Sequence, residues 1–272
     1  MAVFANDFTF NGISLSSISQ SYALVSFDNG SDSSAIMNRS VERSEITYDR
    51  VLTDDYGAVD SNVMQFDITI CNACDRTGES FTKDEIKKII GWLTSPVEPK
   101  LLYFTGDGTE IYTGLQFIGR FTKAEYVGRG GNYKDGIKAY FENVSPYAFT
   151  EEQTYTINSY SDSNGVLDIT NTGTATGKIV IPKITISVLD SGKITVNNTS
   201  DTSMDAFSFT GTQGDVITIN NYNLFKADGT LFDFDKCDNL NFPVMLDGVN
   251  TFSVTGHCTV TITVRYFEDI GI

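Results

Sequence analysis

Two cysteines three apart, Cys71 and Cys74 in ITICNACDRTG (68–78), have the most chemistry-like spacing in a chain of 272 residues with four cysteines. A C-x-x-C pair supplies half of a zinc site or a redox dithiol. Zinc needs further ligands, and the remaining candidates, Cys237, His257 and Cys258, lie more than 160 residues away. A thioredoxin-like dithiol needs the pair at the start of a helix. Here VMQFDITI before it alternates apolar and polar as a strand does, and DRTG after it is a turn. The pair reads as structural thiols.

His257 is the one histidine, so a Ser-His-Asp or Cys-His site must use it. It stands beside Cys258 in VTGHCTVTITV. Adjacent strand residues point to opposite faces, so the two do not pair as nucleophile and base. Carboxylates are densest at Asp228, Asp233, Asp235 and Asp238 in KADGTLFDFDKCDN. Read as a strand, this stretch puts Asp233 and Asp235 on one face with Phe232 and Phe234 on the other. Two carboxylates about 5–9 Å apart suit a glycosidase. Calcium also suits such a group, although the spacing matches no EF-hand loop. The plain reading is a solvated face. VGRGGNYKDG (127–136) lacks the G-K-[ST] end of a phosphate loop and the helix that follows one, and reads as a hairpin tip. No catalytic group, cofactor or metal is therefore expected, with a weak calcium site near Asp233 and Asp235 left open. The chain reads as a non-enzyme.

The elements that position these residues are mostly strands. Met64, Phe66, Ile68 and Ile70 share one face, as do Leu115, Phe117 and, after a slip, Phe121. KIVIPKITISVLDSGKITVNN (178–198) alternates through Ile179, Ile181, Ile184, Ile186, Val188, Ile194 and Val196, with a phase shift expected at Pro182. Asn11-Gly12, Asn29-Gly30, Asp107-Gly108, Asp228-Gly229 and Asp247-Gly248 mark turns. One segment, TKDEIKKIIGWLTSP, places Ile86, Ile89, Ile90 and Leu93 on a helical stripe. Thr82 and Glu85 predict a capping box, and Pro96 ends the helix. Trp92, the only tryptophan, is expected to pack against the sheet.

With 35 acidic and 19 basic residues the formal charge is −16, which opposes binding of nucleic acid or anionic membrane. The N-terminus shows no signal-peptide pattern and no window is long and apolar enough to span a membrane, so a soluble protein made in a cytosol is expected. The N-x-[ST] sequons at Asn38, Asn143 and Asn198 carry no meaning without secretion. Composition shifts near residue 150: the first part is net −7 and holds the helix, the second is net −9 and reads as entirely β. Two domains, 1–150 and 151–272, are expected.

IMNRSVERSEITYDR (36–50) interleaves Arg39, Arg43 and Arg50 with Glu42, Glu45 and Asp49. This is a solvated strand or, alternatively, a protruding hairpin arm that pairs with a neighbouring copy of the chain.

The order of segments resembles the distal tail protein family of long-tailed, non-contractile bacteriophages over nearly the whole chain. FTFNGISLSSI (8–18) is similar to the family's opening phrase. FTKDEIKKIIGWLTSPVEPKLLYF followed by IYTGLQFIGRF (111–121) keeps the family's order of helix, strand and strand. IKAYFENVSPYAF (137–149) resembles the segment closing the family's first domain. NTGTATGKIVIPKITI, GDVITIN and FPVMLDGVNTFSVTG fit the second. GDVITINNYN departs from the family, many of whose members have an Asp-rich strand there, and the acidic phenylalanine loop after it is longer than usual.

The resemblance implies a mostly β fold. The first domain would be a β-sandwich with one α-helix and a hairpin arm, building a homohexameric ring around a central channel. The second would be a galectin-like β-sandwich on the outside. The ring would join the tail tube protein to the tail-associated hub or fibre protein at the distal end of the virion tail and dock receptor-binding proteins. The genome would pass through without adhering, in keeping with the negative charge. Two other classes compete: a carbohydrate-binding module recognising host glycans through Tyr222, Phe225 or Phe232, and a glycoside hydrolase.

Overall fold

The structure, a computed structural model, describes residues 4–5, 7–18, 23–26, 39–45, 53–60, 63–72, 81–105, 114–128, 134–160 and 163–270. The chain divides into two compact units, Met1–Phe149 with Asp269–Ile272, and Thr150–Glu268. The fold is mostly β.

The first unit opens with β1 (Phe4–Ala5), β2 (Asp7–Phe10), β3 (Ile13–Ser14) and β4 (Ala23–Ser26). A detached hairpin, β5 (Arg39–Glu45) and β6 (Thr53–Asp60), precedes β7 (Gln65–Asn72). Then follow β8 (Lys100–Thr105), β9 (Gln116–Gly128), β10 (Lys134–Asn143) and β11 (Ala148–Phe149). The main antiparallel sheet runs β1-β4-β7-β10-β9-β8-β2-β3, with β11 on β9. Asn11 and Gly12 both have positive φ and turn β2 into β3, as an Asn-Gly pair allows. A single helical turn, α1 (Leu15–Ile18), adds to the one helix the sequence predicts.

That helix, α2 (Lys83–Thr94), begins with the expected capping box. Thr82 Oγ1 accepts from the Glu85 N–H at 3.2 Å, and Glu85 Oε2 accepts from the Thr82 N–H at 2.8 Å. Its stripe buries Ile89 and Leu93 in the aromatic core, with Ile86, Ile90 and Trp92 packed against it.

Met64, Phe66, Ile68 and Ile70 are all buried, as period two requires. The slip in β9 is displaced from the expected place. Phe117, Gly119 and Phe121 keep one inward phase, and the register shifts after Phe121, where Phe121 and Lys123 face Phe141 and Tyr140. Gly119 sets this geometry: a Cβ there would lie 2.1 Å from the Glu142 carbonyl oxygen and 2.7 Å from the Phe141 ring. The missing side chain lets β10 close on β9, so that Phe141 reaches Phe121 edge-on at 5.1 Å.

The second unit contains β12 (Gln153–Ser159), β13 (Gly165–Asn171), β14 (Lys183–Val188) and β15 (Gly192–Asn198). It continues with β16 (Phe207–Gly211), β17 (Val216–Asn220), β18 (Asn223–Lys226), β19 (Gly248–Thr255), β20 (Cys258–Val264) and β21 (Phe267–Glu268). A five-stranded sheet, β12-β20-β14-β17-β18, and a four-stranded sheet, β13-β19-β15-β16, share one hydrophobic core as a β-sandwich.

Two expectations change here. The phase shift at Pro182 does not occur: Val180, Pro182, Ile184, Ile186 and Val188 are all buried in one even phase, while Ile179 and Ile181 face outward. Pro182 immediately precedes β14, where its missing N–H takes no ladder bond. The chain also does not stay in the second unit to its end, since Asp269 and Ile270 belong to the first, with Ile270 in that core.

Two buried asparagines hold the loops. Asn143 Oδ1 accepts from the Ile118 N–H at 2.9 Å, and its Nδ2 donates to the carbonyls of Ser145 and Tyr147. Asn250 Oδ1 accepts from the Leu246 N–H and from Asn198 Nδ2, each at 2.8 Å. Satisfied on every side, these amides pin chain that carries no ladder bonds.

Candidate functional site

Among the described residues, the aspartate, histidine and cysteine side chains singled out from the sequence do not converge. Asp233 does not lie on a strand. It caps a 3-10 turn, Phe234–Lys236, its Oδ1 accepting from the Asp235 N–H at 3.1 Å. The two faces expected for this stretch therefore do not form: Phe232 is 4% exposed but Phe234 is 42% exposed. An Asx-type bond by Asp233 wins over extended backbone here. Asp228 is spent in the neighbouring turn, accepting from the Thr230 N–H and hydroxyl at 2.9 and 2.7 Å. Those bonds hold its carboxyl below the usual range. Asp238 leans the other way, to Lys193 at 2.6 Å and the Ser208 hydroxyl at 2.7 Å, and both lower its pKa. Among the described residues, no three His, Cys, Asp or Glu side chains group closely enough to hold a metal ion.

His257 sits in the turn between β19 and β20, and Cys258 behind it is fully buried. The His257 Nδ1 is hydrogen-bonded to the Asp190 carboxylate, and its ring lies 6.0 Å from that of Tyr160. The backbone cross-links the same two turns, since the His257 carbonyl accepts from the N–H of Leu189 at 2.9 Å. Burial pushes the Cys258 thiol up to about 11, so it holds its proton at neutral pH. Cys237 is also raised, by burial and by Asp233 and Asp238. Cys71 lies in β7, and Cys74 is outside the described residues.

Of the aromatics proposed to meet a glycan, Tyr222 is 54% exposed, Phe225 is half-buried and Phe232 belongs to the core. Tyr222 and Asn221 both take positive φ at the tip of the β17–β18 hairpin. For a tyrosine this is a strained conformation. The sequons at Asn143 and Asn198 are closed by folding, each asparagine being 1% exposed.

The charged arm candidates fall on the detached hairpin. Arg39, Glu42, Arg43 and Glu45 lie in β5, whereas Asp49 and Arg50 are outside the described residues. In the ladder Arg39 stands opposite Asp60 and Arg43 opposite Asp55, with the register shifted at Glu42. Among the described residues this two-stranded sheet is joined to no other strand. No described helix is long and apolar enough to cross a membrane.

The fold has solved counterparts. The Dit protein of phage SPP1, described as a paradigm of hub adsorption apparatus in Gram-positive infecting phages, aligns over 97% of this chain and 99% of its own at a TM-score of 0.64 and 13% identity. A chain of the phage P2 baseplate in its activated conformation with calcium aligns over 96% of this chain and 97% of its own, at 0.52 and 8%. At such identities the likeness is one of fold. No curated protein matches the sequence. Sequence-family comparison matches residues 4–145 to the phage tail protein N-terminal domain and 147–264 to the phage tail C-terminal domain. Those matches take in the capped helix, the arm and both sheets of the sandwich, and the chain belongs to this family of phage tail proteins.

Proposed function

We propose that the protein is a structural ring at the distal end of the phage tail. Six copies would surround a channel and join the tail tube to the central hub or fibre protein of the host-adsorption apparatus. The first unit builds the ring. The second, galectin-like, faces outward and offers a platform to receptor-binding proteins. The protein acts as a mechanical part and not as an enzyme.

The observation that carries this reading is the match to the Dit fold along almost the full length of both chains, within a chain of the phage tail family. Further support comes from the arm. A hairpin outside its own sheet, carrying alternating basic and acidic residues, is suited to pairing across a rotational interface where the same patches recur on every subunit. The net charge of −16 supports the channel role, because phosphate is repelled and DNA passes without adhering. The dispersal of His257, Cys258 and the acidic residues supports a role without catalysis.

Light scattering on the purified chain, with negative-stain images of the same sample, tests the reading. Six copies of a 29.9 kDa chain give about 179 kDa and rings with an open centre. A strict monomer, both alone and mixed with the cognate tail tube protein, refutes it.

A further inference from the structure

Exposed apolar side chains of the second unit gather around Phe242, outside the strand ladders. Tyr222 stands at the tip of the β17–β18 hairpin, Met204 in the loop between β15 and β16, and Leu240 in the segment before β19, each more than half exposed. Phe242 itself is buried, its ring 5.3 Å from that of Phe207. The Tyr222 ring lies 6.4 Å from the Phe242 ring on its other contact. Met204 lines a shallow depression with Asp201, Asp205, Phe242 and Pro243. The Leu240 carbonyl accepts from the Phe242 N–H at 3.0 Å, and Asn239 Nδ2 donates to the Ala206 carbonyl at 2.9 Å, which ties this segment to the Met204 loop. The shelf is thus held in place by the chain's own bonds, which is the preorganisation a binding surface needs.

Strain and charge set this shelf apart. Asn221 and Tyr222 form a two-residue turn with φ of 46° and 61°. Such a turn normally takes Asn-Gly. A glycine would relieve it, so the tyrosine ring is held there against the preference of the backbone, as happens at functional surfaces. Charge is one-sided as well. The chain carries no lysine or arginine from 194 to 225 or from 237 to 264, the stretches that build the shelf. Its carboxylates are Asp201, whose Oδ1 accepts from the Ser203 N–H and hydroxyl, and Asp205, exposed and paired with no described cation. Other exposed apolar residues differ. Ile179 and Ile181 stand in sequence between Lys178 and Lys183, and Leu231 and Phe234 between Lys226 and Lys236, so those stretches bring their own cations.

We infer that this shelf docks another protein through a segment that sets an aromatic or aliphatic side chain beside lysine or arginine. An exposed apolar patch rimmed by polar groups marks a protein contact, and tyrosine and methionine are enriched at the centre of such contacts. The partner's apolar side chain covers Tyr222, Met204 and Phe242. Its cation meets Asp201 and Asp205, to which the surrounding chain offers no counter-ion. A second copy of this acidic chain is a poor occupant, since it sets carboxylates against carboxylates. Nucleic acid is repelled for the same reason. The inference rests on the proposed reading in one respect, that the second unit faces outward and meets other tail proteins.

The test is fluorescence anisotropy of the full chain with labelled peptides in which tryptophan and arginine alternate. Binding is expected, and little of it should remain when glutamate replaces arginine or serine replaces tryptophan. Tyr222→Gly relieves the positive φ, so the melting temperature should hold while affinity falls about tenfold, as loss of one interface anchor does. Asp205→Asn, at an exposed position, should weaken binding severalfold and reduce its salt dependence. If Tyr222→Gly lowers the melting temperature, Met204→Ser in its exposed loop replaces it, and the same loss is expected. No binding, equal binding of the serine–arginine peptide, or equal binding by the variants overturns the inference. Self-association that Tyr222→Gly abolishes assigns the shelf to a second copy and overturns it as well. Mass is read on the same sample: intact rings without peptide binding remove the shelf alone, and peptide binding without rings removes the ring reading alone.

Discussion

The indole Nε1 of Trp92 donates a hydrogen bond of 3.1 Å to the carbonyl of Phe10, and its ring stacks on Phe8 at 5.3 Å. The last turn of α2 is thereby fastened to β2 through two residues 82 apart in sequence. Trp92→Phe keeps an aromatic ring but removes the donor. A loss of about 1–2 kcal/mol is expected, from one hydrogen bond and poorer stacking. Urea unfolding followed by far-UV circular dichroism measures it.

Gly119 is a second point of close approach. Gly119→Ala pushes a methyl into the Glu142 carbonyl and the Phe141 ring, and neither backbone nor a buried ring yields easily. A destabilisation of about 3 kcal/mol is expected, at the upper end of overpacking costs. The unfolding midpoint of this variant should fall well below that of Gly91→Ala, whose new methyl meets nothing within 4 Å.

Asp238 gives the stability a definite pH dependence. The Lys193 ion pair first, and then the Ser208 hydroxyl, lower its pKa in the folded state. A carboxylate depressed on folding stabilises above its unfolded pKa, near 3.9, and that contribution disappears as pH falls through the lower folded value. Asp238→Asn should therefore melt lower than the parent at pH 7, and the gap should close below pH 3. A gap that persists in acid would assign the loss to packing.

Cys258 should resist alkylation. With the thiol buried and its pKa pushed up to about 11, iodoacetamide at pH 8 should leave it unmodified in the native protein and label it in denaturant. Peptide mass spectrometry resolves it from the other three cysteines.

For the arm, Arg39→Glu with Arg43→Glu should weaken ring assembly while the monomer keeps its circular dichroism spectrum. Arg39 and Arg43 stand opposite Asp60 and Asp55 in the same hairpin, so the substitutions also place like charges across the ladder. Adding Asp55→Arg and Asp60→Arg restores opposite signs within the arm. Continued failure to form rings in sedimentation velocity would place the role of the arginines between copies, and recovery would place it inside the arm.

Local chemistry made much of this protein legible. The capping box of Thr82 and Glu85, the stripe from Ile86 to Leu93 and the alternation from Met64 to Ile70 depend on neighbours within a turn or a pleat, so sequence order suffices. The separation of His257 from Cys258 comes instead from a turn: His257 stands before β20, and Cys258 is buried at its first position. The charged arm residues were legible as a group, but their cross-strand partners came only with the hairpin register.

Other features depended on groups remote in the chain. Isoleucine occurs in both phases of 179–188, so alternation alone does not fix which face is buried. Val180 bridges Met245, which fixes the even residues inward and leaves Ile179 and Ile181 exposed. The acidic phenylalanine stretch alternates like a strand but forms a 3-10 turn, because alternation ignores the bond Asp233 makes to nearby backbone. The shelf around Phe242 was not visible from composition at all. Tyr222, Met204 and Leu240 come from separate segments, and only the fold gathers them into one surface. The sequence by itself determined the elements, their class and the acidic surface. Tertiary structure decided which residues meet, because antiparallel pairing joins distant segments through backbone bonds that carry no trace in the local pattern.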